Sequence, residues 1–152
     1  MPIVYFSAMA LLTVEGISRR EHGVQSVNNI SFSLEPFLKM AIAGETGSGK
    51  TSLLKMMAGL LQPEKGTILF EGKRVLGPEQ KLMPGHPGIG YLSQHFELRN
   101  NYRVEDELEA KNELSTEEAA KIFSVCRIGH LLKRMTSQLS GGEKQRIALA
   151  RV

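Results

Sequence analysis

The chain has 152 residues, 41% of them hydrophobic and 23% charged, proportions that suit one folded domain with a sizeable core and exclude a disordered or fibrous chain. It is too short for a globular lobe fused to a membrane-embedded one, which excludes a self-contained permease. Nineteen Lys and Arg against sixteen Asp and Glu leave a net charge of +3, too little to argue for nucleic acid or a membrane surface as partner.

The charge is segregated along the chain. Residues 104–118 hold seven acids and one base, and residues 121–151 hold seven bases and one acid, which reads as two solvated helical faces of opposite sign. The lone Cys126 can form no intrachain disulfide; it sits in a run (Ile122, Phe123, Val125, Ile128) that reads as buried and fits a reducing compartment. Asp106 is the only aspartate and lies in the polar run 103–107. A mechanism that needs an aspartate at the end of a buried apolar strand cannot be completed within these residues.

Ten of the first twelve residues are hydrophobic, yet no basic segment precedes them and Glu15 and Arg19 follow closely, so they make a poor signal peptide and too short a membrane span. The first strand is predicted at 11–14. Nothing ahead of it has a role, so translation is expected to begin at Met9, or residues 1–8 to be dispensable. A second strand is predicted at 30–34, the polar stretch 18–29 separating the two as in an antiparallel edge sheet. The apolar run 38–43 reads as a third strand. Directly after it stands a glycine loop, and 52–58 then shows helical spacing in Leu53, Leu54, Met57 and Ala58, stopped by Gly59 and Pro63.

Residues 67–70 read as a strand, the Gly- and Pro-rich stretch 72–88 as a loop or insertion, and 89–92 as another strand. From 104 the pattern turns helical: 104–114, then 116–125 opened by Ser115 or Thr116 with Glu117 and Glu118 in its first turn, then 128–132. The expected organisation is one domain over 1–152, with a core lobe at 9–103, a helical subdomain at 104–139 and the start of a further helix at 140–152.

Two segments carry chemistry. Gly44, Glu45, Thr46, Gly47, Ser48, Gly49, Lys50 and Thr51 match G-x-x-x-x-G-K-[ST], with Ser52 opening the helix behind them. Glycines let successive backbone N–H groups turn inward around a phosphate, and the helix adds its positive end. Lys50 is placed to reach β and γ phosphates, and Thr51 to offer its hydroxyl to Mg²⁺. The second segment is Leu139-Ser-Gly-Gly-Glu143. Ser140 with Glu143 three residues on is a capping box, hence a helix start. Gly141 and Gly142 add a cost of roughly 1 kcal/mol each that a plain helix start does not need, and bare glycines at a helix N-terminus make a second anion site.

With a P-loop and the sequence LSGGE together, the chain resembles the ATP-binding cassette (ABC) family, whose signature has the form LSGGQ. The resemblance runs from Leu11 to Arg151, with Gln94 at the end of 90–94 where the family places its Q-loop. It implies an α/β P-loop NTPase fold with an antiparallel β edge and a helical subdomain. It further implies an ATP-binding subunit of a transporter in which Lys50 and Gln94 act on ATP and Thr51 and Gln94 on Mg²⁺. Ser140, Gly141, Gly142 and Glu143 would meet nucleotide on the P-loop of a second such subunit, identical or not, and the pair would dock on a transmembrane permease. The chain would then be cytoplasmic and peripheral at the inner membrane face, touching the membrane only through that partner. A soluble non-transport ABC ATPase and a nucleotide-binding fragment without turnover remain alternatives.

Three departures from the family stand out. The position of its adenine-stacking aromatic falls at Glu21, with His22 beside it. Its glycine before the P-loop strand falls at Phe37, so Pro36-Phe37 is expected to turn without a positive φ, as in a type I turn. The residues that resemble the family stop inside the signature helix, so its Walker B strand, with aspartate and catalytic glutamate, and its switch histidine have no counterpart in these 152 residues, and this stretch is expected to be inactive alone. His86, His95 and His130 have no metal-ligand spacing and read as loop or surface residues.

Overall fold

The computed structural model describes residues 10–21, 23–110 and 112–151; the expectations for residues 1–8 and for His22 fall outside them. The chain divides into two compact units, one ending at Gly90 and the other beginning at Tyr91, so that residues 91–103 are grouped with the helices.

In the first unit, β1 (Leu12–Glu21), β2 (Val24–Leu34), β3 (Lys65–Phe70) and the two-residue β4 (Lys73–Arg74) form a sheet ordered β2-β1-β3-β4, every pair antiparallel. The expected antiparallel edge is therefore present, and longer than the apolar runs suggested. Residues 18–21 and 24–29 of the polar stretch are part of β1 and β2, with Arg19 opposite Val27 and Arg20 opposite Gln25, because a sheet covered on one face needs apolar side chains only on that face. Leu12, Val14, Ile17, Val27 and Ile68 point inward and pack with Leu53 and Met56 of α1 (Lys50–Met57). Ile17 is fully buried, a burial that stabilises by about 2 kcal/mol. Gly59 at φ +72 ends α1. Its N–H donates to Met56 and the Leu60 N–H to Lys55, so two carbonyls of the last turn are satisfied.

Two expected strands do not form. Residues 38–43 and 89–92 carry no ladder among the described residues. A buried parallel strand is stable only between neighbours that take its N–H and C=O groups; without them Leu38 and Met40 stay exposed at 62% and 45%. The turn before this segment also differs from the expectation. Leu38 N–H donates to the Glu35 carbonyl at 3.3 Å and Phe37 has φ +64, which is the type II pattern with Pro36 at its first central position. Proline fixes that arrangement, and Phe37 takes the left-handed conformation that glycine would adopt without strain.

In the second unit, α2 (Val104–Glu109), α3 (Thr116–Val125) and α4 (Gly141–Arg151) surround Val104, Leu108, Ile128, Leu131, Leu139 and Ile147. The helix expected over 104–114 stops at Glu109. Acids crowd its last turn against the helix dipole, and the Asn112 side chain captures the Leu114 N–H at 2.9 Å, a local bond that competes with helix. Ser115 is the N-cap of α3, in a capping box with Glu118. The helix expected at 128–132 is a 3₁₀ turn over Gly129–Leu131. Cys126 is half-buried, and Val125, expected inside, is 83% exposed.

Candidate functional site

The loop ahead of α1 takes the shape its glycines permit. Gly47 has φ +85 and Gly49 φ +82, and a Cβ on Gly49 would collide with the Ser26 carbonyl on β2, so no other residue fits there. Gly49 is also the N-cap of α1 and supplies no capping side chain, and no acid lies in the first turn. The first N–H groups of the helix are thus left without a capping side chain from the helix itself.

Lys50 folds back over this loop. Its ammonium donates to the carbonyls of Gly44 at 2.9 Å and Glu45 at 2.6 Å and to the Ser48 hydroxyl at 3.2 Å, which uses all three of its donors. Gly44, Glu45, Thr46, Gly47 and Ser48 are exposed, as is Thr51. A cleft of about 300 Å³ opens beside the loop, lined by Ser26, Val27 and Asn28 of β2 and by Ala43, Ser48 and Lys50 among others. Ser52 is buried, and its hydroxyl donates to the Glu21 carboxylate at 2.9 Å. Glu21, at the end of β1, therefore reaches the P-loop helix. The ring of residues fits a phosphate chain: it offers main-chain donors, a cation and a helix N-terminus. No group of three or more His, Cys, Asp or Glu side chains is placed to hold a metal among the described residues.

Gln94 is exposed and lies in a turn, where a strand end was expected. Phe96 N–H donates to Ser93 and Glu97 N–H to His95, with Phe96 at φ +60 and Glu97 at φ +46. Successive bonds of this kind coil the backbone out of the extended form.

Ser140 and Glu143 close a reciprocal cap at the start of α4. The Ser140 N–H and hydroxyl donate to the Glu143 carboxylate at 2.7 and 2.8 Å, and the Glu143 N–H returns to the hydroxyl at 3.4 Å. These bonds, the backbone N–H first, hold the Glu143 carboxyl below the ordinary glutamate range, with Arg134 and Arg146 adding to the effect. Arg134 bonds Glu143 at 3.0 Å and the Gln138 carbonyl at 2.8 Å. A Cβ on Gly141 or Gly142 would meet nothing within 4 Å. No packing inside the described chain demands glycine there.

The structure brings together 44–52 in the first unit and 140–143 in the second, with Gln94 also in the second. Sequence reasoning missed the bond of Glu21 to Ser52, the brace of Arg134 on the cap, and Glu107, whose buried carboxylate pairs with Arg99 and Arg151. The signal for the last was available: an acidic run followed by a basic one pairs as readily as it solvates.

The ABC transporter family model matches residues 27–152. The sulfate/thiosulfate import ATP-binding protein CysA of Pseudomonas syringae pv. tomato is 32% identical over 92% of this chain and 45% of its own length. The molybdate/tungstate import ATP-binding protein WtpC of Thermococcus kodakarensis is 35% identical over 93% of this chain and 43% of its own length. The chain thus spans less than half the length of these relatives. The solved structure of cbiO1 from Clostridium perfringens, part of the ABC transporter complex cbiONQ, superposes with a TM-score of 0.69 over 93% of this chain and 60% of that one, at 24% identity. That likeness shows the shared α/β fold.

Proposed function

The chain belongs to the ABC transporter family, and from that premise we propose that it is part of an ATP-binding subunit that hydrolyses ATP to drive transport. The observation that carries this reading is the start of α1, with no capping side chain at Gly49, and the Lys50 ammonium resting on the loop carbonyls. A phosphate chain at those N–H groups would draw Lys50 from the carbonyls of Gly44 and Glu45 to the β and γ phosphates, exchanging neutral acceptors for charged ones. Thr51 would hold Mg²⁺ by its hydroxyl, and the ion would neutralise charge on the phosphates during transfer to water. Gln94 would orient the attacking water.

Gly141 and Gly142 open onto empty space beside a capped helix start, which suits a ligand brought by another molecule. We assign that ligand to the P-loop of a second subunit, giving a head-to-tail dimer with two nucleotides between the copies. A transmembrane permease would be the further partner, with the subunit on the cytoplasmic side. No helix among the described residues is long and apolar enough to cross a membrane, so the attachment would run through that partner. The sole aspartate, Asp106, lies on α2, and the 152 residues alone are not expected to turn ATP over.

Titrating ATP and ADP against the full-length Lys50→Ala variant tests the reading. Affinity for ATP should fall about tenfold or more and that for ADP less, because ADP offers the lysine one phosphate fewer. Equal losses, or none, would overturn the placement of Lys50. Copurification with an integral membrane protein tests the transporter assignment.

A further inference from the structure

The second unit ties its signature helix to the turn that holds Gln94. Arg151, in the last turn of α4, donates through Nη2 to the Phe96 carbonyl at 3.1 Å and through Nη1 to the Glu97 carbonyl at 3.0 Å. These carbonyls belong to the two residues with positive φ, a conformation that non-glycine residues keep only where the surroundings over-determine it. The same Nη1 pairs with the Glu107 carboxylate. Glu107 is 2% exposed, and its other oxygen accepts from Arg99 Nε at 2.7 Å. The Arg99 guanidinium also bonds the Asp106 carbonyl at 3.1 Å and lies 4.1 Å over the Tyr102 ring. A buried carboxylate between two guanidinium groups has its charge matched. It also orients the Arg151 fork, so that one planar group serves the carboxylate and the turn together. A lysine, a point donor, could not span them.

We propose that Arg151, oriented by Glu107, is the positioning residue that holds the Gln94 turn in its strained form, and that the action of Gln94 in ATP turnover depends on this hold. The proposal rests on the ATPase reading above and deepens it. Helix α4 carries the glycines at its start and, ten residues on from Gly141, the Arg151 side chain that bonds the Gln94 turn.

The test measures kcat, KM for ATP and amide exchange of residues 94–98 in the full-length chain carrying Lys50→Ala, Gln94→Ala, Arg151→Ala, the last two together, Arg151→Lys, or Arg99→Ala. Arg151→Ala should lower kcat about tenfold or more with KM changed less than about threefold. Its turn amides should exchange faster, and the double variant should be no slower than the slower single variant. Arg151→Lys should keep the thermal midpoint and stay slow, which separates positioning from loss of fold. Arg99→Ala removes a Glu107 partner without touching the turn carbonyls, and its kcat should stay within about threefold of the unchanged protein. Losses that multiply in the double variant, a full rate in Arg151→Lys, unchanged exchange in Arg151→Ala, or Arg99→Ala as slow as Arg151→Ala would each overturn the proposal while leaving the ATPase reading intact. Unaltered turnover in Gln94→Ala would remove the role of Gln94 and the proposal with it. Unaltered turnover in Lys50→Ala would remove the ATPase reading itself.

Discussion

The Ser52 hydroxyl donates to the Glu21 carboxylate at 2.9 Å, which puts a negative charge on the first turn of the helix that carries Lys50. The charge favours the helix dipole and opposes any phosphate bound at the same end. Glu21→Gln keeps a side-chain oxygen for Ser52 and removes the charge. ATP should bind the variant about two- to threefold more tightly at low salt, with the gain fading as ionic strength shortens the screening length. A titration series in salt reads this directly; unchanged affinity at low salt would place Glu21 too far from the phosphates to matter.

Two capping boxes make the second unit acid-sensitive in a predictable direction. The Ser115 hydroxyl and then its backbone N–H hold the Glu118 carboxyl below the ordinary range, and Ser140 does the same for Glu143, backbone N–H first. A carboxyl whose pKa is lowered by folding contributes stability that is present above its unfolded pKa, near 4.3, and is lost as pH falls through the folded value. Stability should therefore decline with acid below about pH 4.3. The pair Glu118→Gln with Glu143→Gln should flatten that decline. Urea midpoints measured from pH 6 to pH 3 check it, and an equally steep acid limb in the double variant would count against the caps as its source.

Where local form depended on local spacing, the sequence was enough. The P-loop glycines, Lys50 and the Ser140–Glu143 cap all lie within a few residues of one another, and turn and cap geometry are set at that range. Segments whose form depends on distant backbone were read wrongly. Residues 38–43 are apolar enough for a buried strand, but strand formation needs a neighbour. Gln94 was expected at such a strand end and sits in a turn held by a side chain from Arg151, 57 positions away in sequence. Phe37 was expected to avoid positive φ because it is not glycine. Pro36 and the Leu38 to Glu35 bond outweighed that preference.

Phe37 offers a direct measure of that strain. At φ +64 with its ring fully exposed, it has no packing to lose. A left-handed non-glycine residue costs about 1–2 kcal/mol, and glycine gives back part of that through the freedom of the unfolded chain. Phe37→Gly should stabilise by about 0.5–1 kcal/mol, while Phe37→Ala, which keeps a Cβ in the same conformation, should gain nothing. Denaturant midpoints for the two variants decide it; equal shifts would mean that losing the exposed ring, rather than relieving the backbone, is what matters.

The signature glycines should set stability against function. With open space where their Cβ atoms would stand, Gly141→Ala should stabilise α4 by up to about 1 kcal/mol and raise the melting temperature by a few degrees. On the proposed head-to-tail arrangement, turnover should nonetheless fall steeply in the full-length protein, because the methyl group would occupy the approach of the nucleotide from a second subunit. That subunit's involvement is checked by mixing. Lys50→Ala and Ser140→Arg homodimers should both be inactive, whereas a verified heterodimer of the two joins one intact P-loop to one intact signature end and should recover turnover at about half the unmodified rate per dimer if the sites act independently. No recovery in such a heterodimer would mean that Ser140 serves the nucleotide of its own chain, and the head-to-tail arrangement would have to be abandoned.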